Sequence, residues 1–187
     1  MYAARIYRAC FGVNDSVNEP SDRMINLFGA LALGVADRVR WASLNETAFG
    51  GETAAALVVV GHTPGLSIDQ LGRVLRLSHP GTVRLVDRLV SAGFAVRSPT
   101  SRDRRTVALN LTEAGQMRRS ALLKRRREAL QAVLASVTPQ DLVVLERISD
   151  NMLRTLPTDA ATALTVCRFC DEGRCTDCPM DAFGALG

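Results

Sequence analysis

The 187-residue sequence predicts a mainly α-helical fold with one small β-hairpin. Apolar residues recur at helical spacing through most of the chain, and serine or threonine capping signals precede several of these stretches. One short segment near the middle alternates between apolar and polar residues instead, as β-strands do. With 47% hydrophobic and 22% charged residues, the composition is typical of one globular domain with at most a small appendage.

The first two predicted helices lie before residue 61. Residues 1–21 show weak periodicity and are expected to form a loose N-terminal arm. Ser21 then caps a long amphipathic helix that runs to about Leu44. A short second helix is expected over residues 52–60, and it ends at the turn-rich stretch 61–65.

Two short helices joined by a tight turn come next. Ser67 and Gln70 have the spacing of a capping box and begin a helix that ends near Leu75. Ser78 caps the following helix, which tolerates Pro80 because backbone N–H groups in a first turn have no partner within the helix. The apolar residues of this helix share one face, which leaves three others on the opposite face: Gly81, Arg84 and Arg88.

The alternating segment predicts a hairpin over residues 94–97 and 105–111, with a connecting turn rich in arginine. A long helix is expected over residues 113–135, and Thr138 begins a last helix that ends near Pro157. Two short helices, a tight turn and then a hairpin with a basic tip are the elements of a winged helix-turn-helix.

Positive charge is concentrated in the same part of the chain. The formal net charge is only +4, but residues 73–127 hold 14 basic and three acidic residues, a net charge of +11, whereas the other 132 residues have a net charge of −7. Such a basic block indicates a polyanionic partner, most often nucleic acid, although a solvated helix surface has the same composition. A helix fits the major groove of duplex DNA and a thin basic hairpin reaches the minor groove beside it, so the sequence predicts double-stranded DNA as the partner.

The second short helix and the hairpin resemble the MarR family of transcription regulators. The similarity rests on residues 77–89, on Ala92-Gly93-Phe94, and on the wing pattern Asp-x-Arg, three residues, Leu-x-Leu-Thr-x-x-Gly at residues 103–115. The resemblance implies a MarR-like domain over residues 22–157, which forms an obligate homodimer on a pseudo-palindromic operator and represses transcription.

On this resemblance, the dimerisation helices lie at about residues 22–45 and 113–157, and the winged helix-turn-helix lies at about residues 52–111. In the wing, Asp103 would orient Arg105 toward the minor groove. The residues expected in or beside the DNA grooves are Ser78, His79, Gly81, Thr82, Arg84, Arg88, Arg102, Arg104 and Arg105.

Some of these residues have structural alternatives. His79 and Gly81 differ from the polar residues expected at their positions, and His79 could merely cover the start of its helix. Arg88 could instead pair with an acid on its own face. The basic run at residues 124–127 is interpreted as a solvated helical face, because four consecutive residues point around the whole helix.

The C-terminal tail, residues 158–187, lies outside the resemblance and contains a Cys-x2-Cys-x4-Cys-x2-Cys motif. This spacing predicts a single metal centre, with ligands Cys167, Cys170, Cys175 and Cys178. Four protein ligands leave no open position, so a zinc ion there would be structural. An iron–sulfur cluster is the alternative, because a proline follows the last cysteine as in some cluster motifs, and reversible disulfides or free thiols are a third possibility. Cys10 stands alone and is interpreted as an ordinary thiol.

These observations predict a sequence-specific DNA-binding regulator that is modulated by a metal, by redox state or by a small organic effector. Because the tail directly follows the dimerisation helices, a metal there is expected to bias the spacing of the two DNA-reading lobes. The rival functions are a thiol–disulfide oxidoreductase, for which no βαβ unit surrounds the motif, and a protein-interaction module with a metal-stabilised tail.

An enzyme is disfavoured because the chain has only two histidines, His62 and His79, neither of them in a catalytic pattern. The sequence has no secretory signal and no apolar stretch of ~20 residues, so a cytoplasmic protein is expected.

Overall fold

The computed structural model of the chain describes residues 19–44, 50–99 and 107–186. It confirms a mainly α-helical fold with one antiparallel hairpin. In these ranges the elements are α1 (Asp22–Leu44), α2 (Gly51–His62), α3 (Ile68–Leu75), α4 (His79–Ser91), β1 (Ala95–Pro99), β2 (Val107–Leu111), α5 (Glu113–Leu134), α6 (Pro139–Leu153) and α7 (Ala160–Val166). Two single-turn 3₁₀ helices follow at Glu172–Arg174 and Asp181–Phe183. None of the described helices is long and apolar enough to cross a membrane.

The chain divides into two compact units after Ala36, within α1. In the first unit, the hydroxyl of Ser21 accepts a hydrogen bond from the N–H of Met24, which confirms the predicted cap of α1. The apolar side chains of this part of α1 are exposed: Met24, Ile25, Leu27, Phe28, Leu31 and Leu33. The predicted N-terminal arm lies mostly outside the described residues.

The core of the second unit is built around α2. Every residue from Thr53 to Val60 is buried, because this helix is apolar on all sides and α3, α4, α5 and the hairpin pack around it. The largest fully buried side chains contributed by the surrounding elements are Leu66, Leu71, Val74, Leu85, Val86, Leu89, Leu109 and Leu122.

Caps fix the ends of α3 and the start of α4. The predicted capping box begins α3, since the Ser67 hydroxyl accepts from the Gln70 N–H and the Gln70 side chain accepts from the Ser67 N–H. Arg76 ends α3 in the left-handed region at a φ of 55°. The Ser78 hydroxyl then accepts from the Gly81 N–H and begins α4, as its sequence predicts.

The hairpin is tied to the rest of the unit at its base. Ala95 pairs with Leu111 and Pro99 with Val107, so the wing rises from the ends of α4 and α5. Leu66 adds an isolated antiparallel β-bridge to this sheet, because the N–H of Leu109 donates to its carbonyl at 2.8 Å. The wing tip, residues 100–106, lies outside the described residues.

Two of the predicted helix boundaries are wrong. Helix α2 continues through Gly61 to His62. Gly61 does not break the helix, because its missing side chain leaves room for a side chain of another helix. A β carbon at Gly61 would lie 2.5 Å from Nε of Arg119, whose side chain crosses the helix there. Helix α6 ends at Leu153, not near Pro157, so the chain turns earlier than the sequence predicts.

The tail contains a helix that the sequence reasoning missed. Asp159 and Thr162 form a capping box at the start of α7, a weaker signal than the serine and glutamine of α3. Helix α7 packs against α3, and the hydroxyl of Thr165 donates to the Val74 carbonyl at 2.7 Å. Three tail side chains pack against the winged-helix core: Leu164, Phe169 and Leu186. The tail is therefore part of the second unit.

Candidate nucleic-acid interface and cysteine cluster

The outer face of α4 presents two arginines to solvent. Arg84 and Arg88 are both exposed, and the described part of the chain contains no ion-pair partner for either. The acid closest in sequence, Asp87, is taken by Arg97 of β1 at 2.7 Å. The alternative in which Arg88 pairs with an acid on its own face therefore finds no support in the contacts of α4.

The start of α4 is linked to the start of α3 by an ion pair that the sequence analysis missed. His79 Nδ1 lies 2.7 Å from a carboxylate oxygen of Asp69, and both side chains are exposed. The sequence indicates this pair only weakly, through the separation of ten residues between a histidine and an acid at corresponding helix starts. The pair holds the His79 ring, in the first turn of α4, beside Asp69 in the first turn of α3.

The first turn of α4 is shaped by Ser78, Gly81 and Thr82. The Ser78 hydroxyl is engaged as the cap, and Gly81 is half-buried. Thr82 is fully buried, and its hydroxyl donates to the Ser78 carbonyl at 3.0 Å. The Thr82 side chain therefore packs against Gly72 of α3, so closely that a β carbon at Gly72 would lie 2.8 Å from the Thr82 hydroxyl oxygen. Helical spacing from the buried Leu85 and Leu89 was the signal that could have found this.

The wing strands join this face from the C-terminal side of α4. Arg97 is on β1, and the guanidinium of Arg118 in α5 lies 5.6 Å from the centre of the Phe94 ring at the base of the hairpin. The predicted wing contacts Arg102, Arg104 and Arg105, and their support Asp103, lie outside the described residues. The described elements thus present a helix with exposed arginines next to a two-stranded wing.

Residues 50–106 match a MarR family model, which covers α2 through the wing. The winged helix of this chain is therefore similar to that of MarR family proteins. About two thirds to three quarters of the chain is also similar in fold to solved structures of such proteins. A MarR family protein from Bacillus stearothermophilus has a TM-score of 0.63 at 23% identity, covering 71% of this chain and 95% of that one.

Two further structures extend this similarity. FabT from Streptococcus pneumoniae, solved in complex with DNA, has a TM-score of 0.61 at 16% identity and covers 73% of this chain and 97% of its own. A probable transcriptional regulator from Pseudomonas aeruginosa has a TM-score of 0.51 at 25% identity, with 66% and 95% covered. No curated protein matches the sequence.

The cysteine motif lies beyond the residues that match the MarR model. All four cysteines line one cavity of about 610 Å³, whose wall also includes His62 at the end of α2 and Glu172 of the tail. Cys167 is buried at the end of α7, Cys170 and Cys178 are half-buried, and Cys175 is exposed. The structure therefore brings the four predicted ligands to one place, although they are separated by turns of the chain.

The thiols interact electrostatically along the cavity wall. Cys167 and Cys170 form one neighbouring pair, and Cys175 and Cys178 form the other, and the charges of both pairs act on one another. Among the described residues, no three potential ligands already surround one point as a closed metal site. Binding of one ion by all four would thus require the two pairs to converge.

The hydrogen bond within the first pair separates the two thiols in acidity. Donation from Cys167 lowers the pKa of Cys170 to about 6, helped by the positive charge of Arg126. The same bond and the burial of its side chain raise the pKa of Cys167. Burial also raises the pKa of Cys175, with a further contribution from the neighbouring Cys178. In the metal-free protein, Cys170 is therefore the thiol most readily present as thiolate.

A charged contact joins the cysteine loop to the winged helix. Glu172, between the two cysteine pairs, accepts hydrogen bonds from the guanidinium of Arg119 in α5, whose side chain is only 13% exposed. Nδ1 of His62 lies 3.8 Å from the same carboxylate. In the described part of the protein, His62 Nδ1 and Arg119 Nε are buried without a hydrogen-bond partner. Of these two residues, His62 lines the cavity with the thiols, whereas Arg119 lines a second pocket beside α5.

Proposed function

We propose that this protein is a sequence-specific DNA-binding transcription regulator that acts as a homodimer and represses transcription in the cytoplasm. The observation that carries the proposal is the pair of exposed arginines, Arg84 and Arg88, on the outer face of α4 beside the wing. Because the nearby acid Asp87 is engaged by Arg97, both guanidinium groups are available for phosphates and base edges.

Dimerisation is supported by apolar side chains that the described chain leaves exposed on two helices. On α1 they include Phe28, and on α6 they include Val143, which is 69% exposed. Helix α6 has no buried residue at all, yet about half of its residues are apolar. Exposed apolar surface of this extent favours a protein partner, and a second copy of the chain is the partner that the resemblance implies.

A dimer would place two α4 helices in successive major grooves. The operator is then a pseudo-palindrome with half-sites about one helical turn, ~10 bp, apart. Arg84 would read a base edge, while Arg105 in the wing would contact the minor groove with little sequence preference. Repression would follow where such an operator overlaps a promoter, and a small effector or a metal would regulate it by binding the two conformational states with different affinity.

The test begins with selection of bound duplexes from a random library and footprinting of the best sequence. Arg84→Ala is expected to cost about 1–3 kcal/mol and to relax preference at one base position, whereas Arg105→Ala should weaken many sequences alike and flatten the salt dependence. Arg127→Ala is the matched control, because it removes an exposed arginine from α5 and should have little effect on sequence preference.

Three results would contradict the proposal. The first is the absence of duplex binding with a steep salt dependence, and the second is a footprint over a single short, asymmetric site. The third is a monomer in solution at micromolar protein concentration. Equal losses for Arg84→Ala and Arg127→Ala on every sequence would remove the base-reading role from Arg84.

A further inference from the structure

We propose that the four tail cysteines bind one zinc ion, and that this ion is a clasp that fixes the tail on the winged helix. The site is formed by Cys167, Cys170, Cys175 and Cys178, which line the same cavity. The metal part of this proposal is independent of the DNA-binding function, and only its effect on DNA affinity rests on that function.

The ligand set favours zinc. Four thiolates with no carboxylate, imidazole or water position match a closed structural zinc site. Zinc also tolerates the partly exposed setting of this cavity, in which Cys175 is open to solvent and charged residues of the tail lie close by. Apolar residues also line the cavity, among them Ala163, Leu164 and Met180, so the choice of zinc over an iron–sulfur cluster rests on the exposed Cys175 and is decided by the metal content measured below.

The surroundings place one cation near a predicted ligand, and the acids Glu172 and Asp171 act on the same thiol with the opposite sign. A zinc ion with four thiolates has a net charge of −2, so donors around the sulfur atoms stabilise it. Arg126 acts electrostatically on Cys170, and the buried Nδ1 of His62 faces the cavity without a hydrogen-bond partner among the described residues. Arg119 is held in the same region through Glu172.

The size of the cavity shows why the ion would act as a clasp. A volume of about 610 Å³ is far larger than one ion, and among the described residues no three potential ligands surround one point. Zinc binding must therefore draw the turn of Cys175 and Cys178 toward Cys167 and Cys170. Since His62 and Thr63 of the winged helix form part of the wall, this closure tightens the tail against the winged helix.

Two contacts extend the effect of closure to the helix-turn-helix. Glu172 lies in the loop between the two cysteine pairs, so fixing that loop also fixes the ion pair of Glu172 with Arg119. Thr165, two residues before Cys167, holds the carbonyl of Val74 near the end of α3. We therefore expect metal binding to increase the order of α3, because the free energy of metal binding stabilises the folded state of the surrounding chain.

The experiment uses full-length protein made in zinc- and iron-replete cells and purified without oxygen. We expect a colourless protein with one zinc ion per chain and four unreactive thiols. Cys175→Ser should lose the zinc, and since Cys175 is exposed, this change should not disturb the fold. Cys10→Ser, which alters the one cysteine outside the motif, is the matched control and should retain zinc.

Hydrogen exchange without DNA tests the clasp separately. Removing zinc should accelerate amide exchange in residues 68–75 by about tenfold, as expected for a local opening, and leave residues 22–36 unchanged. Glu172→Gln should keep one zinc ion per chain but reduce the protection that zinc gives to α3. Glu128→Gln on α5 is the control and should behave as the unaltered protein, because the only ion-pair partner of Glu128 within the described ranges is Arg125 at 3.8 Å.

Each alternative outcome overturns a stated part of the proposal. A brown protein with iron and sulfide overturns the zinc assignment. Protein without metal and with four freely reacting thiols overturns the site, and a cysteine disulfide formed by peroxide would then be the property to follow. Zinc binding without a change in α3 exchange overturns the clasp. Failure to bind any operator would affect only the proposed regulator function, because none of these measurements uses DNA.

Discussion

The base of the wing depends on a glycine that admits no side chain. Gly115 is in the first turn of α5, directly against the backbone of Phe94. A β carbon at this position would lie 2.9 Å from the Phe94 carbonyl carbon and closer still to its oxygen. That oxygen accepts a hydrogen bond from the N–H of Thr112, and the Thr112 hydroxyl caps α5 by accepting from the Gly115 N–H. Gly115→Ala must therefore separate α5 from the end of α4.

The magnitude follows from one stabilising and two destabilising terms. Alanine is favoured over glycine in a helix by about 1 kcal/mol. Against this, overpacking costs about 1–3 kcal/mol, and here the obstacle is backbone, which cannot rotate away as a side chain can. Strained hydrogen bonds of Thr112 add about 1 kcal/mol. The net effect is a destabilisation of about 2 kcal/mol, which for a chain of this size lowers the Tm by about 4–8 °C.

Thermal unfolding followed by circular dichroism at fixed protein concentration measures this change. Gly51→Ala is the matched control, because Gly51 also lies in the first turn of a helix, and no atom of the described residues lies within 4 Å of a β carbon added there. The control is expected to leave the Tm unchanged or to raise it slightly. If Gly115→Ala unfolds at the same temperature as Gly51→Ala, the close approach at Phe94 does not constrain the fold and the reasoning fails.

Two further predictions concern the thiols and the dimer. In metal-free protein, Cys170 should be the first cysteine alkylated by iodoacetamide. Its alkylation rate should be half-maximal near pH 6, because its pKa is about 6 and protonation below that pH removes the thiolate. Equal labelling of all four thiols in peptide mapping would contradict this. Val143→Glu should shift the protein toward monomer in light scattering while leaving its helicity intact, because it places a charge on the exposed apolar face of α6; Gln140→Glu is the control, and a dimer of unchanged affinity would exclude α6 from the interface.

Local signals explain why the winged helix could be predicted from the sequence. The hydroxyls of Ser67, Ser78 and Thr138 each accept a backbone N–H three residues ahead, so each cap is decided by the chain next to it. The strands of the hairpin are close in sequence and pair in one antiparallel register. Elements of this kind depend little on distant residues, and their starts agree with the structure.

The features that could not be predicted all depend on contacts between distant parts of the chain. Gly61 has the composition of a turn, and only the passage of the Arg119 side chain over it shows that the helix continues. Likewise, Thr165 meets Val74 across 91 positions of sequence, so no local pattern indicates that the tail packs against α3. The cysteine spacing predicted a common site, but it gave no information about which surface the site would contact.

The position of the tail changes how a ligand there would influence DNA binding. From sequence, a metal after the last dimerisation helix is expected to alter the spacing of the two DNA-reading lobes. The small apolar cluster around Cys167 does include Leu153, the last residue of α6. On its other side, however, α7 packs on α3 and Thr165 holds the Val74 carbonyl. An ion bound between these contacts would therefore lie where α6 meets the helix-turn-helix. It would alter the order of each DNA-reading lobe, and it would also alter the distance between the two lobes of a dimer.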